Sequence, residues 1–445
     1  MDLPSESASR VELTDREKMR LLPWSYAHCT ANSVFSALTF FGPVFILFLD
    51  ELGLPKTRIG FLLSLLPFCG LIAPFIASTV ARIGVKRVFI ACWGMRKLVT
   101  ALLLLIPWVL GRYGSEPAFF AVAGIVAAFA LLRAVAETAW FPWFQEVVPL
   151  TYRGRYNGVN NFVSLLASCL SLAAASYVLD RIPGLDRFIW LIGIGVVAGV
   201  ICVLFSFPIP GGAPGKPSAS TPFHAMRGVL RDRRFLIYLG YNALALVTMH
   251  SMLMAFIPLF MKEQVGLSEQ QIILLQIGGY VAGLLSSFPW GRMADRRGGK
   301  EMLLIVVLCM LALPIGWSLI PRLHPSSFPV ALALAALAGG LSAGWWICDQ
   351  RFLYVELVEP EKRTEYMAVY YAWSGLIGGC GPIAAGAFLD RFQSLSGSFW
   401  IFSLDPYQPL FLIGFTLLLV ALFLLIRLPC GRDVNRDLVT SSKEI

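Results

Sequence analysis

The sequence predicts an all-α membrane protein, with twelve transmembrane helices in two pseudo-symmetric six-helix bundles. Three observations carry that prediction. First, 57% of the 445 residues are hydrophobic and only 14% are charged, more apolar surface than a soluble core of this size needs. Second, apolar runs of about 20 residues recur along the whole length, each able to cross ~30 Å of hydrocarbon as a helix. Third, the chain repeats itself. Gly291, Asp295, Arg296, Gly298 and Lys300 form a Gly-x-x-x-Asp-Arg-x-Gly-x-Lys run, and Ala77, Ala81, Arg82, Gly84 and Lys86 occupy the same five positions 214 residues earlier. Glu146 and Arg153 recur as Glu356 and Arg363 at an offset of 210, and Asn32 recurs as Asn242 at the same offset. A repeat of this length says that one half was duplicated.

In chain order the predicted spans are 24–49, 59–80, 88–111, 118–141, 157–178, 188–208, 235–261, 270–291, 301–320, 328–350, 366–389 and 408–427. They read as helices because they are continuously apolar and do not alternate as barrel strands do. Residues 1–23 are polar and lack the apolar core and cleavage site of a signal peptide. They read as a cytosolic arm, with 13–22 as an interfacial helix. The first bundle is 24–208, a Pro- and Gly-rich linker is 209–234, the second bundle is 235–428, and 429–445 is a tail. Eight of the nine cysteines fall inside apolar runs and none has metal-ligand spacing. They read as small packing residues in a reduced setting, and no cofactor or metal is expected.

Charge placement predicts orientation. With the N-terminus inside, the cytosolic segments hold 24 Lys and Arg, the outer loops 8 and the apolar runs 4. A three-to-one bias is the positive-inside signal and places both termini and the linker in the cytosol, in the cell (inner) membrane. Arg227, Arg231, Arg233 and Arg234 are expected to touch anionic headgroups. The net charge of +9 is thus topogenic, and nucleic-acid binding is not expected because no basic stripe lies on a soluble domain.

Twelve spans in two halves, a basic central loop and the Gly291–Lys300 signature after the eighth span resemble the major facilitator superfamily, over essentially the whole chain. The N-terminal copy departs from the family pattern, with Ala77 for the usual Gly and Ala81 for the usual Asp. The resemblance implies a secondary transporter that works by alternating access, with a central site between the halves. The signature has physics of its own. Gly291 would let a neighbouring helix approach closely, Gly298 permits a tight turn, and Asp295 can cap a helix and pair with a base. Such a cluster, with Arg82, Gly84, Lys86, Arg296 and Lys300, can latch the cytosolic side. The alternative is a topogenic turn with no gating role. Glu146 with Arg153 and Glu356 with Arg363 could brace the same face across the halves, or be solvated pairs worth little.

Ionisable groups inside spans are costly and are functional candidates. Arg133 and Glu137 share a helical face and can pair, either as a structural ion pair or as a site where Arg133 holds an anionic or hydroxyl-rich ligand and Glu137 takes a proton. Arg96 and Lys97 are expected to snorkel to the inner interface. Asp349 is expected to face the cavity and Arg351 the interface. His28 and His250 are proton or hydrogen-bond candidates against a packing alternative. Asn32, Asn161 and Asn242 are amides that a wet cavity would satisfy. Trp346, Tyr370 and Trp373 could stack on sugar rings or flat organic groups, or simply pack. The fifth span has no Gly-Pro, which argues against a proton-driven drug exporter.

Together these residues predict a transporter, not an enzyme, since no nucleophile–base pair, metal spacing or phosphate loop is present. The expected cargo is a small polar solute, sugar-like or an organic acid, moved with H+ by a monomer in the bilayer. Efflux of amphipathic compounds by proton antiport is the alternative within transport, and a transporter-like receptor or lipid-handling protein is the alternative of another class.

Overall fold

The structure is a computed structural model, which describes residues 15–149, 152–214, 229–248, 254–359, 363–395, 397–399 and 402–428. His250, Arg227, Cys430, most of the linker and the tail lie outside the described residues, as do the side chains of Arg153 and Arg363. Among the described residues, ten helices are long and apolar enough to cross a membrane: Glu17–Glu51, Val85–Tyr113, Ser115–Phe144, Arg155–Arg181, Asp186–Ser206, Glu269–Arg297, Gly299–Ser318, Ser327–Leu357, Glu365–Arg391 and Tyr407–Arg427. The pair Lys56–Gly70 and Phe75–Ile83, bent by 65°, makes an eleventh. These are eleven of the twelve predicted spans. The seventh appears as Arg233–Leu246 and Met254–Phe260, with 249–253 between them outside the described residues.

Local chemistry explains the breaks. Pro67 removes a helical hydrogen bond, Gly70 ends the first segment, and a proline in the first turn starts the next, which bends the second span. In the third span a 3-10 turn at Leu102–Leu105 separates Val85–Ala101 from Ile106–Tyr113. The eighth span starts on a capping box, in which Ser268 accepts from the Gln271 N–H and the Gln271 side chain accepts from Ser268, satisfying two donors that the helix itself leaves free. The one extended element among the described residues is a two-stranded ribbon, Gly397–Phe399 against Phe402–Leu404.

Packing within each half repeats with the sequence. In the first half, spans one and six, one and five, two and four, three and four, and three and six pack together; the second half repeats each pair six spans later. The halves meet through spans two and eleven and through five and eight, a seam that respects the same two-fold relation. Large apolar side chains such as Phe75, Leu285 and Phe120 point outward, as hydrocarbon requires of a lipid-facing surface. The linker and the signature turns share one end of the molecule, here the linker end; the opposite face is the far end.

Candidate functional site

Two adjoining hollows of about 460 and about 540 Å³ sit on the seam and share Pro43, Met254, Pro258, Gln276 and Trp346. The first runs from Asn161 and Leu165 of the fifth span to Gln276, Tyr280 and Ser287 of the eighth and Ser342 of the tenth. The second joins Phe40 and Phe41 to Tyr371 and Ser374 of the eleventh span. Their walls are mostly apolar and aromatic, broken by a few amides and hydroxyls, and among the described residues no charged side chain lines either one. The chamber is therefore greasier than a sugar-like cargo leads one to expect. Of the sequence candidates, Asn161 and Trp346 line it. Tyr371 lines it in place of Tyr370, whose side chain turns into the second half's core. Trp373 donates to the Leu239 carbonyl at 3.0 Å and ties the eleventh span to the seventh. Gln276, Tyr280 and Ser342 were missed; polar residues interrupting an apolar run are the signal that could have found them.

Behind the chamber, each half holds a charged cluster. In the first half Arg96 and Lys97 are 1% and 0% exposed, so the expected snorkelling does not occur. Arg96 lies eleven residues into a helix that starts at Val85, ~16 Å along its axis and too deep to reach either surface of a ~30 Å core. Both side chains instead donate to one atom, Asn32 Oδ1, at 2.9 and 3.0 Å. The Arg96 guanidinium lies 3.1 Å from the Trp93 ring centroid and the Lys97 ammonium 3.2 Å from that of Phe35. Arg133 and Glu137 pair at 2.6 Å, their side chains 28% and 46% exposed. His28 sits apart from the hollows. It shares a 2.7 Å hydrogen bond with Ser206 Oγ and stacks on Trp140 and Trp93.

In the second half Asp349 is 0% exposed. It lies within the tenth span's core rather than on the chamber wall, which is where the sequence had expected it. Its Oδ2 accepts from the Tyr238 hydroxyl at 2.9 Å and from Asn242 Nδ2 at 3.5 Å, while Oδ1 is buried without a partner. Trp345 closes the cluster by donating to the Tyr241 hydroxyl at 2.8 Å. The repeat-related asparagines thus use opposite ends of the amide: Asn32 offers oxygen to cations, and Asn242 offers nitrogen to a carboxylate.

The far end is sealed by polar contacts between the halves. Lys262 of the second half pairs with Asp50 of the first at 2.8 Å, Arg187 of the first with Glu269 of the second at 3.0 Å, and Lys56 with Glu263 at 3.0 Å. Asp390 of the second half accepts from the backbone N–H groups of Lys56 and Thr57, at 3.0 and 2.6 Å, and so caps a helix of the first. Backbone contact is equally close, since a Cβ at Gly60 would stand 2.2 Å from the Pro382 oxygen and one at Gly386 2.3 Å from the Lys56 oxygen. Partial burial opposes the charge on Lys262, but the hydrogen bond to Asp50 and the Glu269 carboxylate outweigh it and raise its pKa above the usual lysine value. Such a cation supports the seal at every pH below the ordinary lysine range, and that support fades as pH climbs through the raised value. Lys262→Gln is expected to weaken closure by about 0.2–1 kcal/mol, read as faster labelling of a cysteine buried in the far-end seam.

At the linker end, the hydrogen bonds described for the signature lysines and their glutamates lie within one half each. Gly84 and Gly298 share positive φ, 107° and 92°, as duplicated turns should. The Lys86 ammonium donates to the carbonyls of Phe207 and Ile209 at 2.8 and 2.6 Å, and Lys300 donates to that of Leu428. Each signature lysine thereby caps the last helix of its own half. Glu146 accepts from the Gly212 N–H and Glu356 from that of Gly299; neither glutamate's described bonds cross the seam. Asp295 pairs with Arg351 at 2.5 Å, while Arg82 and Arg296 are exposed. A Cβ on Gly291 would meet nothing within 4 Å, so the expected close approach is absent here.

Comparison with known proteins agrees with this architecture. A model of the Major Facilitator Superfamily matches residues 28–345 and again 239–438. Autophagy-related protein 22 of Gibberella zeae is 25% identical over 171 residues, 35% of this chain and 25% of that protein, and Autophagy-related protein 22-2 of Sclerotinia sclerotiorum is 24% identical over the same length. The match thus spans about a quarter of the length of these curated relatives. Among solved structures, a point mutant of the nucleoside transporter NupG superposes with a TM-score of 0.69 at 14% identity, covering 92% of this chain and 99% of that one. A bacterial homologue of the iron transporter ferroportin in its inward-facing state gives 0.66 at 14%, covering 92% and 98%. The xylose transporter XylE from E. coli, inward open, gives 0.65 at 12%, covering 94% and 97%. At such identities the superpositions speak for the fold; with the family match over most of its length, the chain is a multi-pass membrane transporter of the Major Facilitator Superfamily and not an enzyme.

Proposed function

We propose that this chain carries a small organic solute by alternating access, with the linker end and both termini in the cytosol of a cell's inner membrane, and that the conformation described is inward-open. The observation that carries this reading is a hollow seam joined at the far end by ion pairs and a shared helix cap, while the hydrogen bonds described for the signature lysines at the linker end lie within one half each. The bias of 24 basic residues against 8 supports the orientation. The two cores supply the rest of the reading: behind the chamber the first half holds the basic cluster of Arg96, Lys97 and Arg133, and the second holds Asp349, a buried carboxylate of the kind that marks proton pathways. The reading includes proton-coupled uptake, which Asp349 supports, by a monomer.

Purified protein in liposomes tests this. Counterflow of a panel of sugars, carboxylates and amphipathic drugs is expected to identify at least one solute, which an acid exterior then accumulates and a protonophore releases. No counterflow with any class would sink the reading. The apolar walls favour a second reading, export of an amphipathic compound by proton antiport; it predicts accumulation under the opposite gradient.

A further inference from the structure

We infer that the transported solute carries an anionic group, a carboxylate or phosphate, and that Asn32, Arg96, Lys97 and Arg133 receive it, with Glu137 the resident counter-ion it displaces. The inference rests on the transport reading and names its substrate class.

Its ground is an imbalance of buried charge. Arg96 and Lys97 are adjacent in sequence, almost wholly buried, and converge on one amide oxygen. Among the described residues neither has a carboxylate within 4.0 Å, and Arg96 Nε is buried with no partner at all. The rings of Trp93 and Phe35 offset only part of the desolvation of two cations. Arg133 adds a third positive charge, and the one carboxylate of the cluster, Glu137, is already spent on Arg133. By formal count the cluster therefore sets three basic side chains against one carboxylate. In the second half, Arg351 is matched by Asp295, so the uncompensated positive charge belongs to the first.

The cluster also adjoins the chamber through one aromatic side chain. Asn32 is only half-buried. The Arg133 guanidinium lies over the Phe41 ring at 4.7 Å, and Phe41 lines the second hollow together with Phe40, Trp346 and Tyr371. A solute seated there lays an apolar or flat body against aromatic walls and turns its anionic end toward Arg133 and Asn32. An uncharged sugar meets neither demand.

The test uses the purified full chain in detergent at constant ionic strength, read by melting temperature and tryptophan fluorescence. The probes are phenylacetate, octanoate and phenyl phosphate, with phenylacetamide and octanamide as neutral counterparts. At least one anion is expected to bind ten-fold or more tighter than its neutral counterpart, and whether it is a carboxylate or the phosphate decides the group. Equal binding of anion and amide, or no response to any anion, overturns the inference. Asn32→Asp places a fixed carboxylate between the two cations, so it is expected to raise the melting temperature and to cost at least ten-fold in anion binding; undiminished binding overturns the inference. Should that variant fold poorly, Glu137→Gln decides: freeing Arg133 from its competitor is expected to tighten anion binding several-fold, and unchanged or weaker binding is the contrary result. Counterflow of neutral solutes with no anion response would leave the transport reading standing without this inference. Anion binding without counterflow of any solute would leave an anion-binding site in the first half but remove the transport reading, and with it the inference about the cargo.

Discussion

Gly60→Leu is expected to hold the far end of the carrier apart. At Gly60 even a methyl group would sit 2.2 Å from the Pro382 oxygen across the seam, so a larger side chain cannot be seated with that end closed. Overpacking of this kind costs ~1–3 kcal/mol. The clash is between halves and vanishes when they separate, so its whole weight falls on the balance of states, about 5- to 150-fold. In a cysteine-free background, Ser176→Cys reports the shift: Ser176 is 3% exposed and bonds across the seam to the Gln270 carbonyl. Its labelling by an impermeant maleimide should speed up by that factor, transport should fall in step, and the melting temperature should hold. An unchanged labelling rate would mean that spans two and eleven do not form the moving seal.

Asp349→Asn is expected to uncouple transport from the pH gradient. The amide keeps the shape of the acid and still accepts from Tyr238, but cannot take up or release a proton. Gradient-driven accumulation should fall by at least about ten-fold, while exchange of solute across the membrane stays within about two-fold of the parent, the pattern expected when an intramembrane proton site is lost. Accumulation that survives the change would move coupling elsewhere, and Glu137→Gln would then be the variant to measure.

Much of the architecture was legible because its causes are local or periodic. Twenty apolar residues in a row need no partner to declare a span, and Gly84 and Gly298 declare duplicated turns because both adopt a backbone that other residues resist. What escaped was long-range. Asp50 and Lys262 are 212 residues apart, and Asp390 caps Lys56 from the opposite half; no spacing rule links such pairs, so the far-end loops read as plain outer loops. The signature turns at the linker end stand out in sequence, yet the bonds described for their lysines are internal to each half. Arg96 and Lys97 were misread for a physical reason too: snorkelling presumes a nearby surface, and their depth removes it. Asn161 and Trp346 stand out in sequence because polar and aromatic groups interrupt apolar runs, whereas sequence alone does not say which of the adjacent Tyr370 and Tyr371 faces the chamber, since one residue along a helix turns the side chain by about 100°.

The sharing of one helix terminus between the halves has a consequence for speed. When Asp390 withdraws, the amides of Lys56 and Thr57 and the freed carboxylate all meet water, which hydrates them about as well as they served one another; the net value of such a bond is only ~0.5–1.5 kcal/mol. Opening at this clasp alone would then strand none of these polar groups, so the clasp itself sets no deep energy well. A carrier fastened in this way needs little from its cargo to reverse direction, and can cycle quickly without a tight grip on what it carries.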